Sequence, residues 1–439
     1  MARYLTIKLS PLHEAKSMNS AASFSEKVTA VLANQTAQWV ILLIASFLVL
    51  FANARQAQLT GGDAVLYAKE ARLIAETGEY ASLRFGQELN HHGPLLFWLT
   101  ALAIKILGPT PFAATLFSRL FGMGCIILTG LLGSYLFGKN TGWFAALALA
   151  TCYTFVRNSA TLRMDSGLTF GVLLAMLGYF RAEKSWGPPV FFAGIGLAVL
   201  AKSVPGFLPL FLAPLHAIFA GRFHLPWKKP ARRWLYWSPL VVLPLLWWGY
   251  LVSQYGGRFV FSAYRDDFLS LDAGQSAELA DRVYRFFATY FYDFGRKYLP
   301  WSIFTLIGLI TVSRTALSSN KKRWERADAG LLVGWIIAVV IAGGLKPSQY
   351  QRYLFPALPA VAIVTAVVAV AMLRDRMPIW IPAIVAVLTI VSGAGIITEP
   401  LLSRTISGLV FSIVCICRFK SDTSGHSSVT PGAPISRYG

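Results

Sequence analysis

Apolar stretches long enough to approach the width of a bilayer alternate with polar connectors along most of this chain. A spanning helix needs about 20 apolar residues, with roughly 17–25 as the working range. Runs at 37–54, 113–137, 142–156, 166–181, 188–201, 204–220, 235–252, 299–313, 329–345, 353–373 and 378–397 fit or approach that pattern, and 405–417 adds a weaker one. The pattern predicts an all-α polytopic membrane protein with about eleven or twelve transmembrane helices. The stretch 188–220 also reads as one broken helix, because Lys202 and Pro205 interrupt it. Ala52-Asn53-Ala54 has the small-residue look of a cleavage site. The long mixed segment before it argues instead for 37–54 as a retained first span.

The loops set the orientation. Loop 221–234 carries Arg222, Lys228, Lys229, Arg232 and Arg233 with no acid, and loop 314–328 is rich in Lys and Arg. The turn 374–376 holds Arg374 and Arg376, and the amino-terminal segment holds Arg3, Lys8, Lys16 and Lys27. With alternating spans all four fall on one side, which the excess of basic residues marks as cytoplasmic. The opposite face receives the long segments 55–112 and 253–298, the second with six basic and six acidic residues. This divides the chain into a cytoplasmic segment 1–36, a membrane domain 37–400 and a last weak span with a polar tail at 401–439.

Composition narrows the class further. The chain is 55% hydrophobic and only 14% charged, against about 25% charged in ordinary globular proteins. So few charges cannot coat soluble domains, which excludes a soluble enzyme and a disordered chain. The formal charge of +20 would suggest nucleic acid in a soluble protein. Here the basic residues sit in membrane loops, and no nucleic-acid partner is expected. Cys125, Cys152, Cys415 and Cys417 lie in or beside apolar runs and read as buried hydrophobes.

Segment 61–78 predicts a short interfacial helix with Asp63 as N-cap and Gly78 just past its end. Residues 94–107 predict a second interfacial helix, with Phe97 and Trp98 at headgroup depth. Asn90-His91-His92-Gly93-Pro94 between them reads as a polar turn, either a solvated loop or a weak paired-histidine metal site.

Several short motifs recur in order along the external side. They are Asp63-x-x-x-Tyr67-Ala68, Thr77-Gly78, and His92-Gly93-Pro94-Leu95-Leu96-Phe97-Trp98. Further on come Arg163-Met164-Asp165-Ser166-Gly167-Leu168-Thr169, Leu200-Ala201-Lys202 with Pro205, and Gln351-Arg352-Tyr353-Leu354-Phe355-Pro356-Ala357-Leu358-Pro359-Ala360. Together they resemble the GT-C membrane glycosyltransferases, in the branch of the lipid A aminoarabinose transferase, protein O-mannosyltransferase and lipopolysaccharide galacturonosyltransferase families, over roughly residues 38–400. The chain departs from the family pattern at Ala64, at His91-His92 and at Gly93, where the family usually has Glu, Glu-Lys and Pro. Asp266 and Asp267 stand where the aminoarabinose transferase has Glu-His.

The resemblance implies transfer of a sugar from a polyprenyl-phosphate carrier to a hydroxyl or phosphate of an envelope acceptor, with lipid A or the lipopolysaccharide core foremost. It implies inversion at the sugar carbon and a periplasmic site in a bacterial inner membrane. Asp63 and Asp165 are the candidate catalytic carboxylates, since the attacking hydroxyl must lose a proton. Lys202, Arg352, Lys346 and His92 are candidates for the donor phosphate. His91, Tyr67, Asp266 and Asp267 are candidates for substrate or metal contact. No cofactor is implied with certainty, and a divalent metal stays open. The resemblance also implies a soluble carboxyl-terminal domain, so a truncation or frameshift near residue 400 is expected. A lipid or sugar transporter or flippase, and an O-antigen-ligase-like transferase, remain the alternatives.

Overall fold

The computed structural model describes residues 34–51, 54–56, 59, 62–81, 84–85, 88–89, 93–221, 239–258, 279–298, 301–345 and 350–374. Apart from one tiny hairpin, its regular structure is helical. The chain opens with α1 (Gln35–Phe51) and α2 (Gly62–Thr77), then the hairpin β1 (Arg84–Phe85) and β2 (Glu88–Leu89). Next come α3 (Leu95–Leu107), α4 (Pro111–Phe137), α5 (Lys139–Ala150), α6 (Tyr153–Ser159), α7 (Asp165–Phe180) and α8 (Gly187–Lys202). A 3₁₀ turn (Val204–Phe207) leads into α9 (Leu208–Ala220), followed by α10 (Pro239–Tyr255) and α11 (Leu279–Phe287). A π-helical turn (Ala288–Asp293) runs on into α12 (Phe294–Lys297), and α13 (Trp301–Leu317) and α14 (Arg323–Gly344) follow. A second 3₁₀ turn (Gln351–Ala357) enters α15 (Leu358–Arg374).

Among the described residues, Pro111–Phe137, Arg323–Gly344 and Gln351–Met372 are each long and apolar enough to cross a membrane alone. Shorter apolar helices supply the rest, among them α1, α3, α7, α8 and the Val204–Ala220 segment. The run 142–156 is divided: α5 ends at Ala150 and α6 starts at Tyr153. Its apolar character reflects burial inside the bundle, since every residue from Thr141 to Ala150 is buried. The stretch 188–220 forms two helices, α8 and the 3₁₀ turn with α9, parted at Ser203, whose φ of 45° few residues with a side chain adopt. The two helices expected at 61–78 and 94–107 form, at 62–77 and 95–107, and α2 and α3 pack on each other. Asp63 falls inside the first turn of α2 rather than at its cap, and its carboxylate is used elsewhere.

Helices α7 and α8 pack closely as an antiparallel hairpin. Gly171 and Gly194 make it possible, because a Cβ at either would lie 2.7 Å from the other's carbonyl oxygen. Small residues that let backbones approach are what apolar helices use to associate in lipid. Both helices are 16 residues long, joined by a short turn, so the start of α7 and the end of α8 meet at one end of the hairpin. Buried Arg119 of α4 ties in the first helix by donating to the Leu50 carbonyl and to Thr115 Oγ1, the latter at 2.9 Å. This satisfies one of the carbonyls left open at the end of α1. Cys125 and Cys152 are buried free thiols. The runs 378–397 and 405–417, the basic loop 222–234 and residues 401–439 lie outside the described residues.

Candidate active site

Four separated stretches of sequence meet at one end of the α7–α8 hairpin. The first is the opening turn of α2. Asp63 Oδ2 accepts a hydrogen bond from Arg352 Nη1 and has Arg163 Nη1 at 3.8 Å. The carboxylate is 39% exposed, so it is held by two guanidinium groups yet open to an incoming molecule. The amino-terminal end of a helix also favours negative charge.

The second contact joins the two ends of the hairpin. Asp165 opens α7, Lys202 closes α8, and Lys202 Nζ donates to Asp165 Oδ1 at 2.5 Å. Asp165 is buried, and an ammonium beside it is what makes a buried carboxylate tolerable. The carboxylate sits at a helix amino terminus and the ammonium at a carboxyl terminus, the favourable arrangement for both dipoles. The strained residue Ser203 comes directly after Lys202. It turns the chain sharply where the ammonium must face inward.

The fourth stretch, Tyr350–Tyr353, links the two pairs. The Arg352 guanidinium lies 4.5 Å from the Tyr350 ring centre and 5.7 Å from that of Tyr353. Lys202 Nζ lies 5.7 Å from the same Tyr353 ring, so one aromatic ring lies near both cations. Tyr67 lies one turn beyond Asp63 on the same side of α2. Its ring packs edge-on against Phe97 at 5.4 Å. Burial raises the Tyr67 phenol above its ordinary range, and the charges of Asp63 and Asp165 add to the shift. Tyr67 is therefore a neutral hydroxyl near both carboxylates.

Two cavities adjoin this cluster. One, of about 290 Å³, is largely apolar, lined by Leu168, Phe207, Phe211 and Val339, with Asp165, Lys202 and Tyr353 among its walls. The other, of about 440 Å³, is polar and includes Arg163, Tyr350, Gln351 and Arg352. The segment 350–353 thus supplies residues to both.

Of the sequence candidates, Asp63, Tyr67, Asp165, Lys202 and Arg352 come together here. His91, His92, Asp266, Asp267 and Lys346 lie outside the described residues. Gly93, where the related families carry proline, passes so close to the Leu200 carbonyl that a side chain would collide with it. Among the described residues, no group of three or more His, Cys, Asp or Glu side chains is arranged to hold a metal ion. Sequence reading passed over Arg163 and Tyr353. Both stand inside motifs that carry the resemblance, next to or two residues from a candidate, and that proximity was the available signal.

Residues 91–248 match the family model described as dolichyl-phosphate-mannose-protein mannosyltransferase. A relative described as an uncharacterized protein of Aquifex aeolicus (strain VF5) is 23% identical over 341 residues, covering 75% of this chain. The matched region spans 63% of that relative's own length. Among solved structures, ArnT from Cupriavidus metallidurans bound to undecaprenyl phosphate superposes with a TM-score of 0.60 at 18% identity, over 88% of this chain and 78% of that one. The apo oligosaccharyltransferase of Archaeoglobus fulgidus gives 0.51 at 15% identity, over 89% and 55%. By architecture, then, this chain is a multi-pass membrane protein with the fold of the GT-C glycosyltransferases.

Proposed function

We propose that the protein transfers a sugar from a polyprenyl-phosphate carrier to a hydroxyl or phosphate of an envelope acceptor, with inversion at the sugar carbon. The observation that carries this reading is the meeting of an apolar cavity, a polar cavity and two acid–base pairs at one end of the bundle. A lipid-linked donor needs an apolar channel for its chain and cations where its phosphate emerges. The 290 Å³ cavity offers the first, with Lys202 in its wall and Arg352 across the Tyr353 ring. ArnT, whose fold is similar, has been solved with undecaprenyl phosphate bound.

In this mechanism Asp63 takes the proton from the acceptor hydroxyl as its oxygen bonds to the anomeric carbon. The bond from that carbon to the carrier phosphate breaks, and the phosphate leaves with the electron pair. Its second pKa is about 6, so it needs no general acid. Lys202 and Arg352 stabilise its charge as it departs. Because Arg352 is bonded to Asp63, a donor phosphate that draws the guanidinium toward itself also uncovers the base. Asp165 holds Lys202 in position, and neutral Tyr67 can donate to the sugar. His92 and Lys346 are assigned to the donor phosphate, and His91, Asp266 and Asp267 to substrate contact. In this reading the site faces the periplasm from a bacterial inner membrane, the amino terminus is cytoplasmic, and lipid A or lipopolysaccharide core is the acceptor.

The test is sugar transfer in membranes supplied with a polyprenyl-phosphate sugar, comparing wild type with Asp63→Asn at equal protein level. Loss of product in the variant is expected. Undiminished transfer removes Asp63 as the base, and substrate flux without covalent product in reconstituted vesicles removes the enzyme.

A further inference from the structure

The 440 Å³ cavity holds more than the transfer step calls for. Beyond Arg163 and Arg352 it is lined by two polar helix faces. On one side Thr154, Arg157, Asn158 and Thr161 follow the spacing of a single helical face along α6 and its exit. On the other, Thr289, Asp293 and Lys297 recur every fourth residue through the π-helical turn and α12. A π-turn is an uncommon feature that concentrates at functional sites. Here it brings Thr289 and Asp293 onto the wall that Lys297 also lines. In a chain with only 14% charged residues, two facing polar walls are a considerable expense of burial.

The charge on those walls is one-sided. Among the described lining residues, Arg157, Arg163, Lys297 and Arg352 are cationic, and Asp293 is the one carboxylate. Asp293 has Arg296 Nη2 at 3.8 Å, and Lys297 Nζ donates to Gln351 Oε1 at 3.1 Å. Arg163 and Arg352 flank Asp63, whereas Arg157 and Lys297 have no part in the proton transfer or in holding the carrier phosphate. The neighbouring Thr, Asn and Gln side chains are suited to hydroxyl groups. The volume falls in the range of ordinary small-molecule sites, roughly 300–1,000 Å³.

We propose that these two walls form an anion subsite, separate from the position of the carrier phosphate. It takes a phosphate or carboxylate on a carbohydrate, carried either by the transferred sugar or by the acceptor. Arg157 and Lys297 are its charge-bearing residues, and they act as specificity determinants for the proposed transfer. This inference rests on the reading of the chain as a glycosyltransferase.

The experiment is equilibrium binding to the detergent-purified full chain, with glucose 1-phosphate, glucuronate and methyl glucoside as anionic and neutral probes. An anionic probe should bind at least tenfold tighter than methyl glucoside, and still bind when undecaprenyl phosphate is saturating. Arg157→Gln with Lys297→Gln should weaken the anionic probe tenfold or more and leave undecaprenyl phosphate binding unchanged. The charge-preserving Arg157→Lys with Lys297→Arg should restore most of the affinity, which separates a charge effect from misfolding. Equal binding of charged and neutral probes, or displacement of the probe by undecaprenyl phosphate, overturns the subsite. Failure of undecaprenyl phosphate to bind wild type, with the anionic probe still bound, strikes at the glycosyltransferase reading and leaves the subsite standing. A polyprenyl-phosphate-linked neutral hexose separates the two sources. Continued probe binding assigns the anion to the acceptor, and displacement assigns it to the sugar.

Discussion

The two ends of α7 carry polar clusters of different construction, ~21 Å apart along the helix at 1.5 Å per residue. At its far end Tyr179 meets His216 of α9 and Asp328 of α14, with the hydroxyl 3.1 Å from Nδ1 and Nε2 3.2 Å from Asp328 Oδ1. All three are buried, and the Phe180 ring packs edge-on against the imidazole at 4.9 Å. None of the three lines either of the cavities at the near end. At its near end Asp165 is equally buried, but its partner Lys202 borders a cavity, and the Asp63–Arg352 pair beside it is partly open. Both clusters satisfy polar groups that an apolar bundle cannot leave alone. Only the second presents charge to a space that a substrate can occupy. Buried polarity by itself therefore marks a packing device as readily as a reaction centre, and access to a cavity tells the two apart.

The largest effect that would break this contrast is on chemistry. Asp63→Asn should lower transfer by roughly 10²–10⁴-fold, the usual contribution of a general base, with folding unaffected. Product formation from a labelled lipid-linked sugar measures it. If His216→Ala caused the same loss per folded molecule, the distinction between the two ends would collapse.

The Asp165–Lys202 pair should behave as a unit. Asp165→Asn and Lys202→Gln each leave one member of the pair without its counter-ion, which for a buried pair costs about 3–5 kcal/mol. The double variant should be more stable than the sum of the two predicts, while transfer is lost in all three. Thermal unfolding in detergent together with transfer rates completes the cycle, and strict additivity would show that the pair is not coupled.

His216→Ala should cost about 1–3 kcal/mol, because Tyr179 and Asp328 each lose a hydrogen bond to the imidazole inside the bundle. Transfer per folded molecule should match wild type. The smallest effect is expected at Ser203, whose positive φ is strained for a residue with a side chain. Ser203→Gly should raise the unfolding temperature slightly, by an amount corresponding to about 1 kcal/mol. A lower unfolding temperature would mean that the serine side chain contributes more than its backbone costs.

Much of the near end was legible beforehand. Asp63, Tyr67, Asp165 and Arg352 were identifiable through the short motifs that carry the resemblance, and Lys202 also because a charge between two apolar runs has little other reason to be kept in a membrane chain. The pairing of Asp165 with Lys202 follows from two helices of equal length joined by a short turn. Arg157 and Lys297 were not legible as one site. Their stretches are 140 residues apart, and nothing local to either specifies which helices face each other. The far cluster was equally hidden, since His216 and Asp328 sit 112 positions apart in helices that meet only through packing.

The order of apolar and polar residues by itself determined that the chain enters a membrane, that its structure is helical and where its chemistry-bearing side chains begin and end their helices. Water and lipid impose those features residue by residue, through hydrophobicity and the need to satisfy every backbone group. Tertiary structure alone decided that Arg352 would hold Asp63, that Tyr353 would stand between two cations and that an apolar cavity would adjoin a polar one. Those outcomes depend on shape complementarity between distant helices, as in the close approach at Gly171 and Gly194, and side-chain fit of that kind is absent from any local pattern.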